Sequence, residues 1–245
     1  MTPGPGIDTG RVDVSRLAAA ARSILACPQE VQLVVDGVDD VVAGLDEPDL
    51  DLQDHSGRPV FSCPAGSALG QAATDRRGAV LTVGSGLGSA GSPDREASLT
   101  LYGRLEATGL EDCPCCGEVR MRVSLHLGYV LLSRASAPDG ASFRVPLADF
   151  VSREHDLNRG FLQRSAEHAN SCHQDELRRA VSTTTGTRVA EIAGVHLADL
   201  RADGVELQWV DASGGHRSEL TFARSARSAE ELGELLRTEL HAGLC

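Results

Sequence analysis

The sequence predicts an α+β protein: a split β-barrel followed by a small α-β-β-β-α domain. Three observations carry that expectation. Short apolar/polar alternating runs fill the chain to about Phe150, one long helical pattern follows, and three more strand-like runs with a capped helix end it. The change of pattern divides the chain into a tail (1–14), a barrel domain (15–150) and a small α/β domain (151–245).

Each element has its own signal. Ser15–Ala26 is Ala-rich, opens on a serine cap and is stopped by Pro28, which predicts a short helix. Val31–Val35, Val41–Leu45, Pro59–Cys63, Ala79–Val83, Ala97–Ala107, Arg120–Leu132 and Ser142–Leu147 form strand-like runs between Asp, Gly, Pro and Ser turns. One helix, Ser67–Arg77, interrupts them. That many half-buried strands call for closure, which removes their edges. Leu157–Val181 is expected as a single helix, with Leu162, Ala166, Ala169, His173, Leu177 and Ala180 on one face. Val195–Leu200, Val205–Val210 and Arg217–Phe222 are strands joined by hairpin turns, and Ser228–His241 opens on a Ser-Ala-Glu-Glu capping box.

Composition excludes several chemistries. Among 245 residues there are 35 acidic and 23 basic side chains, giving a net charge of −12, and every basic residue is arginine. Without lysine there is no Schiff-base, Walker-type or lysine general-base chemistry. The negative charge opposes unspecific binding to nucleic acid or to an anionic membrane. The first residues resemble no signal peptide and no apolar run reaches a membrane span, so a cytoplasmic location is expected. The scattered Cys27, Cys63, Cys172 and Cys245 are then free thiols, some of them packed as small apolar groups.

His168–Leu177 (HANSCHQDEL) resembles the H-x-N-x-x-H-x-D-x-L signature of a small α/β domain that follows an FMN-binding-type split barrel. The pairing occurs in the HugZ-like haem-utilisation family and in plant tetrapyrrole-pathway binding proteins, and the barrel half is similar to pyridoxamine phosphate oxidase-like proteins. Such barrels dimerise and hold FMN, deazaflavin or haem on the outer barrel surface at the dimer interface. The resemblance therefore implies a homodimer that binds haem or a related tetrapyrrole, as a haem-degrading oxygenase or other haem-dependent enzyme, with an FMN- or deazaflavin-dependent oxidoreductase or a cofactor-free regulatory or partner-binding protein as the alternatives. Where a flavin phosphate would dock, the chain carries Asp36, Asp39, Asp40, Asp46, Glu47, Asp49 and Asp51. A dianion is unfavourable beside them, which turns the expectation from FMN toward haem.

Strand alternation places Met121, Val123, Leu125 and Leu127 on one face and Arg122, Ser124 and His126 on the other, with Arg104 on the matching outer face of Ala97–Ala107. Arg104, Arg122, Ser124 and His126 are the candidate cofactor residues: guanidinium groups suit propionates and a neutral imidazole suits iron. Cys113, Cys115 and Cys116 lie in one strand connection, expected first as a solvent-exposed loop tip, with part of a metal site or a disulfide switch as the alternative. His168 and His173, five apart, do not share a helical face, so a structural role is expected for both. The Gly86–Gly91 run has the form GxGxxG but leads to another strand, so a mobile loop is expected and not a dinucleotide fingerprint. No hydrolase pattern is present.

Overall fold

A computed structural model describes residues 13–43, 50–112, 119–134 and 141–240. Helix α1 (Val14–Ala26) opens the fold and buries Leu17, Ala18, Ala21, Ile24 and Leu25. Its cap is Asp13, not Ser15. The Asp13 carboxylate accepts from the Ser15 and Arg16 N–H groups, placing Ser15 in the first turn.

Seven strands make one antiparallel sheet: β1 (Pro28–Val35), β2 (Gln53–His55), β3 (Arg58–Pro64), β4 (Gly78–Ser85), β5 (Ala97–Asp112), β6 (Val119–Arg134) and β7 (Ser142–Arg144). Their order is β1-β4-β5-β6-β3-β2, with β7 also on β6. The curled ladder ends at β1 and β2 among the described residues, so the expected closure is not made by hydrogen bonds. The split arises on β6, whose edge away from β5 is shared. Arg120–Ser124 pairs with β3, and Leu131–Ser133 pairs with β7.

One expected strand, Val41–Leu45, is not formed over its described residues, 41–43. After β1, Asp36–Gly37 turns the chain with Gly37 at φ 71°, and residues 41–43 form a turn instead of opening a strand at Val41. Val41 is still buried against the core. The short strand β2 takes that edge of the sheet. Helix α2 (Ala68–Thr74) connects β3 to β4, and α3 (Leu147–Phe150) follows β7 where the sequence suggested a longer strand.

The inner sheet face packs Leu81, Leu99, Leu101, Val123, Leu125 and Leu132 against α1 and α2. A β-bulge at Gly128 keeps that face apolar along sixteen residues of β6. Tyr102 pairs with Tyr129 but Gly103 with Leu127, so the inward set steps from Val123 and Leu125 to Val130 and Leu132. Gly103 is required here because a Cβ would run into the His126 carbonyl.

The rest of the chain forms α4 (Arg159–Cys172), α5 (Gln174–Thr185), β8 (Gly194–Arg201), β9 (Gly204–Asp211), β10 (Gly214–Thr221) and α6 (Ala229–Glu239). The three strands make a second antiparallel sheet, and Leu177, Val181, Leu197, Val205, Leu207 and Leu232 belong to a second apolar cluster. The expected single helix bends at His173 (φ −120°, ψ 32°). The turn is kept: His173 N–H donates to Ala169 and Leu177 N–H to His173, each at 3.0 Å. The α6 capping box is modified. Ser228 accepts from the Glu231 N–H, but the Glu231 carboxylate reaches back one residue further, to the Arg227 N–H at 2.9 Å.

The two clusters meet along α1 and α4. Gly160 lies so close to α1 that a Cβ would strike the Ser23 carbonyl. The Gly86–Gly88 run, expected to be mobile, is held at this seam. Gln163 accepts from the Gly88 N–H and donates to the Gly86 carbonyl, each at 3.0 Å, and Arg95 donates to the Gly88 carbonyl. Arg22 is 1% exposed and ties three segments together. It pairs with Asp54 at 2.9 Å and Asp156 at 3.0 Å and donates to the Phe150 and Ser152 carbonyls.

Candidate functional site

The period-two alternation of β5 and β6 brings Arg104, His126, Arg122 and Ser124 onto the outer face of the sheet. Arg104 and His126 are direct register partners across the two strands, and Glu106 faces Ser124 in the next same-face row. Arg104 and His126 are both exposed, and neither has a hydrogen-bond or ion-pair partner among the described residues. Ser124 shares the face but is 4% exposed, in a row with Val60 and Glu106, so it presents little hydroxyl to solvent. Arg122 is half-buried, and its Nη2 lies 2.8 Å from His55 Nδ1 and 3.1 Å from His55 Nε2.

His55 is the residue that strand patterning missed. Strand β2 is three residues long, too short for alternation to appear, yet it hairpins onto β3 and sets His55 beside Arg122. Burial, with the Arg122 guanidinium beside it, holds the His55 imidazole below its ordinary range. A neutral imidazole can accept from Arg122 and fix its direction. One strand end further, Arg120 donates to the Ser62 hydroxyl at 3.0 Å and carbonyl at 2.7 Å, so it is committed to structure.

Next to the Arg104/His126 pair the same sheet face is apolar and exposed. Tyr102 is two residues before Arg104 and pairs with Val80 on β4, which pairs with Val34 on β1. All three are exposed, Val34 at 57% and Tyr102 at 49%. Arg144 lies over the Tyr129 ring at 5.2 Å, covering the ring with a cation. The face thus combines an open imidazole, an unpaired guanidinium and a flat apolar strip.

Cys113, Cys115 and Cys116 lie outside the described residues. Among the described residues, no three His, Cys, Asp or Glu side chains converge as a metal site. Cys27 and Cys63 are buried free thiols whose ionisation burial pushes up, while Cys172 is exposed. Asp211, Ser213 and His216 gather at the β9–β10 turn, but the same His216 Nε2 faces Asp211 Oδ1 at 2.9 Å and Ser213 Oγ at 3.1 Å. A proton relay needs the two ring nitrogens on different partners, so this cluster fastens the turn.

Four clefts are lined by the C-terminal part, and none includes the four predicted cofactor residues. Two of these, each about 630 Å³, lie over the second sheet around His196, Gln208 and Arg217, and between α4 and β8. A third, of about 350 Å³, lies between α4 and α6 and holds His168 and His173. The bend at His173 brings these two rings to a centroid distance of 5.2 Å, edge to face, where a straight helix would separate them.

No family model matches the chain, and no curated protein matches it. Among solved structures, a haem binding protein from Mycobacterium smegmatis is similar at 13% identity and a TM-score of 0.40, over 98% of each chain. A protein of unknown function from Agrobacterium tumefaciens is similar at 17% identity and a TM-score of 0.38, over 97% of this chain and 100% of that one. Among the described residues, no helix is long and apolar enough to cross a membrane.

Proposed function

We propose that the protein binds haem or a related tetrapyrrole on the outer face of its first sheet, as a homodimer formed through that face, with 15–150 and 151–245 acting as two domains. One observation carries the reading: an open imidazole, His126, stands directly across from a guanidinium, Arg104, that has no partner among the described residues, beside the exposed apolar strip of Val34, Val80 and Tyr102. The donor set fits the group. A tetrapyrrole has a broad apolar ring, carboxylate side arms and a metal that accepts imidazole nitrogen. His126 would ligate the iron, and Arg104 and Arg122 would hold the propionates, with His55 directing Arg122. Asp36, Asp39 and Asp40 favour this over a flavin phosphate near the β1 end of the sheet. Bound haem would supply redox and oxygen chemistry, and the protein's part would be its ligation, orientation and access to water.

The test is the visible spectrum of the full chain titrated with hemin. We expect a sharp Soret band at a fixed stoichiometry, shifted or lost in His126→Ala, and roughly tenfold weaker binding in Arg104→Gln, the scale of one charge-assisted hydrogen bond. Unchanged binding in both variants would remove this site. A flavin spectrum in the protein as purified would replace haem by the flavin reading.

A further inference from the structure

We propose that the cleft between α4, α6 and the end of α1 binds a small organic monocarboxylate, its apolar body against Phe161, Leu232 and Leu236 and its carboxylate on Arg164. This site is separate from the outer sheet face and does not rest on the haem reading. Its volume, about 350 Å³, lies at the lower end of ligand cavities.

Three observations converge on it. Gly233 lines the cleft from the interior of α6, where glycine is among the least favourable residues. A Cβ at Gly233 would meet only the Arg237 guanidinium, at an ordinary 3.6 Å. No packing among the described residues therefore requires glycine there, and the missing side chain leaves the space open. Arg164 stands exposed at the cleft with no hydrogen bond or ion pair among the described residues. Glu167, one turn along the same helix, is engaged by Gln163 at 2.8 Å. Finally, the Nε2 of His173, another lining residue, is buried without a hydrogen-bond partner, with the His168 ring edge-on beside it.

The chemistry of the lining selects the ligand class. One free guanidinium above an apolar floor suits a single carboxylate, which it can bind through two parallel N–H donors. A phosphate dianion would need more donors than one arginine and a histidine offer. A second polar atom on the ligand could satisfy His173 once the His168 ring turns aside.

The full chain would be titrated with octanoate and indole-3-acetate, and with the matching amides, by calorimetry and by NMR of the histidine ring protons. We expect one carboxylate to bind with one-to-one stoichiometry and shift the His173 ring signals, and its amide to bind at least about tenfold more weakly. Arg164→Gln, an exposed change, should weaken binding at least about tenfold. Gly233→Leu should fill the cleft and abolish binding with the thermal midpoint held or raised. The proposal is overturned if neither carboxylate binds, if the amides bind equally well, or if binding survives either substitution.

Discussion

Arg22 occupies a place where an apolar side chain would ordinarily pack. It stands four residues after Ala18 and three before Leu25, so the helical period itself puts it on the buried stripe of α1. Its charge is tolerable only because Asp54 and Asp156 face it and two carbonyls accept from its Nη1. Asp54→Ala should cost about 3–5 kcal/mol of unfolding free energy in urea, because it leaves a buried cation half paired. Nearer the surface, Asp211 and Glu231 are held at about 2. Ser213 and His216 do this for Asp211, and the Arg227 N–H followed by the Arg227 and Arg224 side chains for Glu231. Both carboxylates are depressed from unfolded values near 3.8 and 4.5. Their contribution is complete above those values and is lost as pH falls toward about 2. Carboxyl NMR titration of the folded chain should find both midpoints well below the unfolded ones. Of the outer-face residues, Arg104, Arg122 and His126 were legible because alternation over a long strand fixes a face. His55 was not, because its three-residue strand has no period to read, and Arg22 was hidden by the habit of placing arginine in solvent.

The contact between α4–α5 and β8 shows what Asn170 does in this fold. Asn170 accepts from the Leu197 N–H at 2.7 Å and donates to its carbonyl at 2.9 Å. Gln174 does the same for Val195, at 3.3 and 2.7 Å, and Arg178 donates to the Ala193 carbonyl. Four helical residues advance about 6 Å and two strand residues about 6.6 Å, so side chains spaced by four match backbone groups spaced by two. The amides thus complete the free edge of β8 as another strand would, and they leave that edge closed to outside pairing. Asn170→Leu should remove both bonds at Leu197, costing about 1–3 kcal/mol and speeding hydrogen exchange of the Leu197 amide. The sequence made most of these elements visible through their periods and caps. It did not show the bend at His173, since hydrogen bonds continue through it and the apolar stripe is unbroken. Nor did it show the loss of the strand at Val41, where a buried valine reads alike in a strand or in a turn.

At the scale of the molecule, the sequence marks the change from strand-rich to helix-led pattern near Phe150, but not how the two parts meet. Gln163 reaches Gly88, 75 residues away, and Arg22 reaches Asp156, 134 residues away, and no local pattern encodes partners so remote. The seam is close-packed at Gly160. Gly160→Ala should force α1 and α4 apart and destabilise the protein by about 1–3 kcal/mol, seen as a lower midpoint in chemical denaturation. The proposed tetrapyrrole face lies on the outer surface of the first sheet, while the α4–α6 cleft belongs to the second cluster, so a ligand at either should leave the other's lining residues in place.

The Arg22 cluster also sets an order of events during synthesis. The guanidinium emerges from the ribosome long before Asp156, which lies 134 residues later in the chain. Until then the nascent barrel carries a cation in its interior with Asp54 as its one carboxylate. The N-terminal half therefore gains its final stability only after the first turns beyond the barrel have been made, and a chain cut at Phe150 would preserve that unfinished state. A cut beyond Asp156 would not.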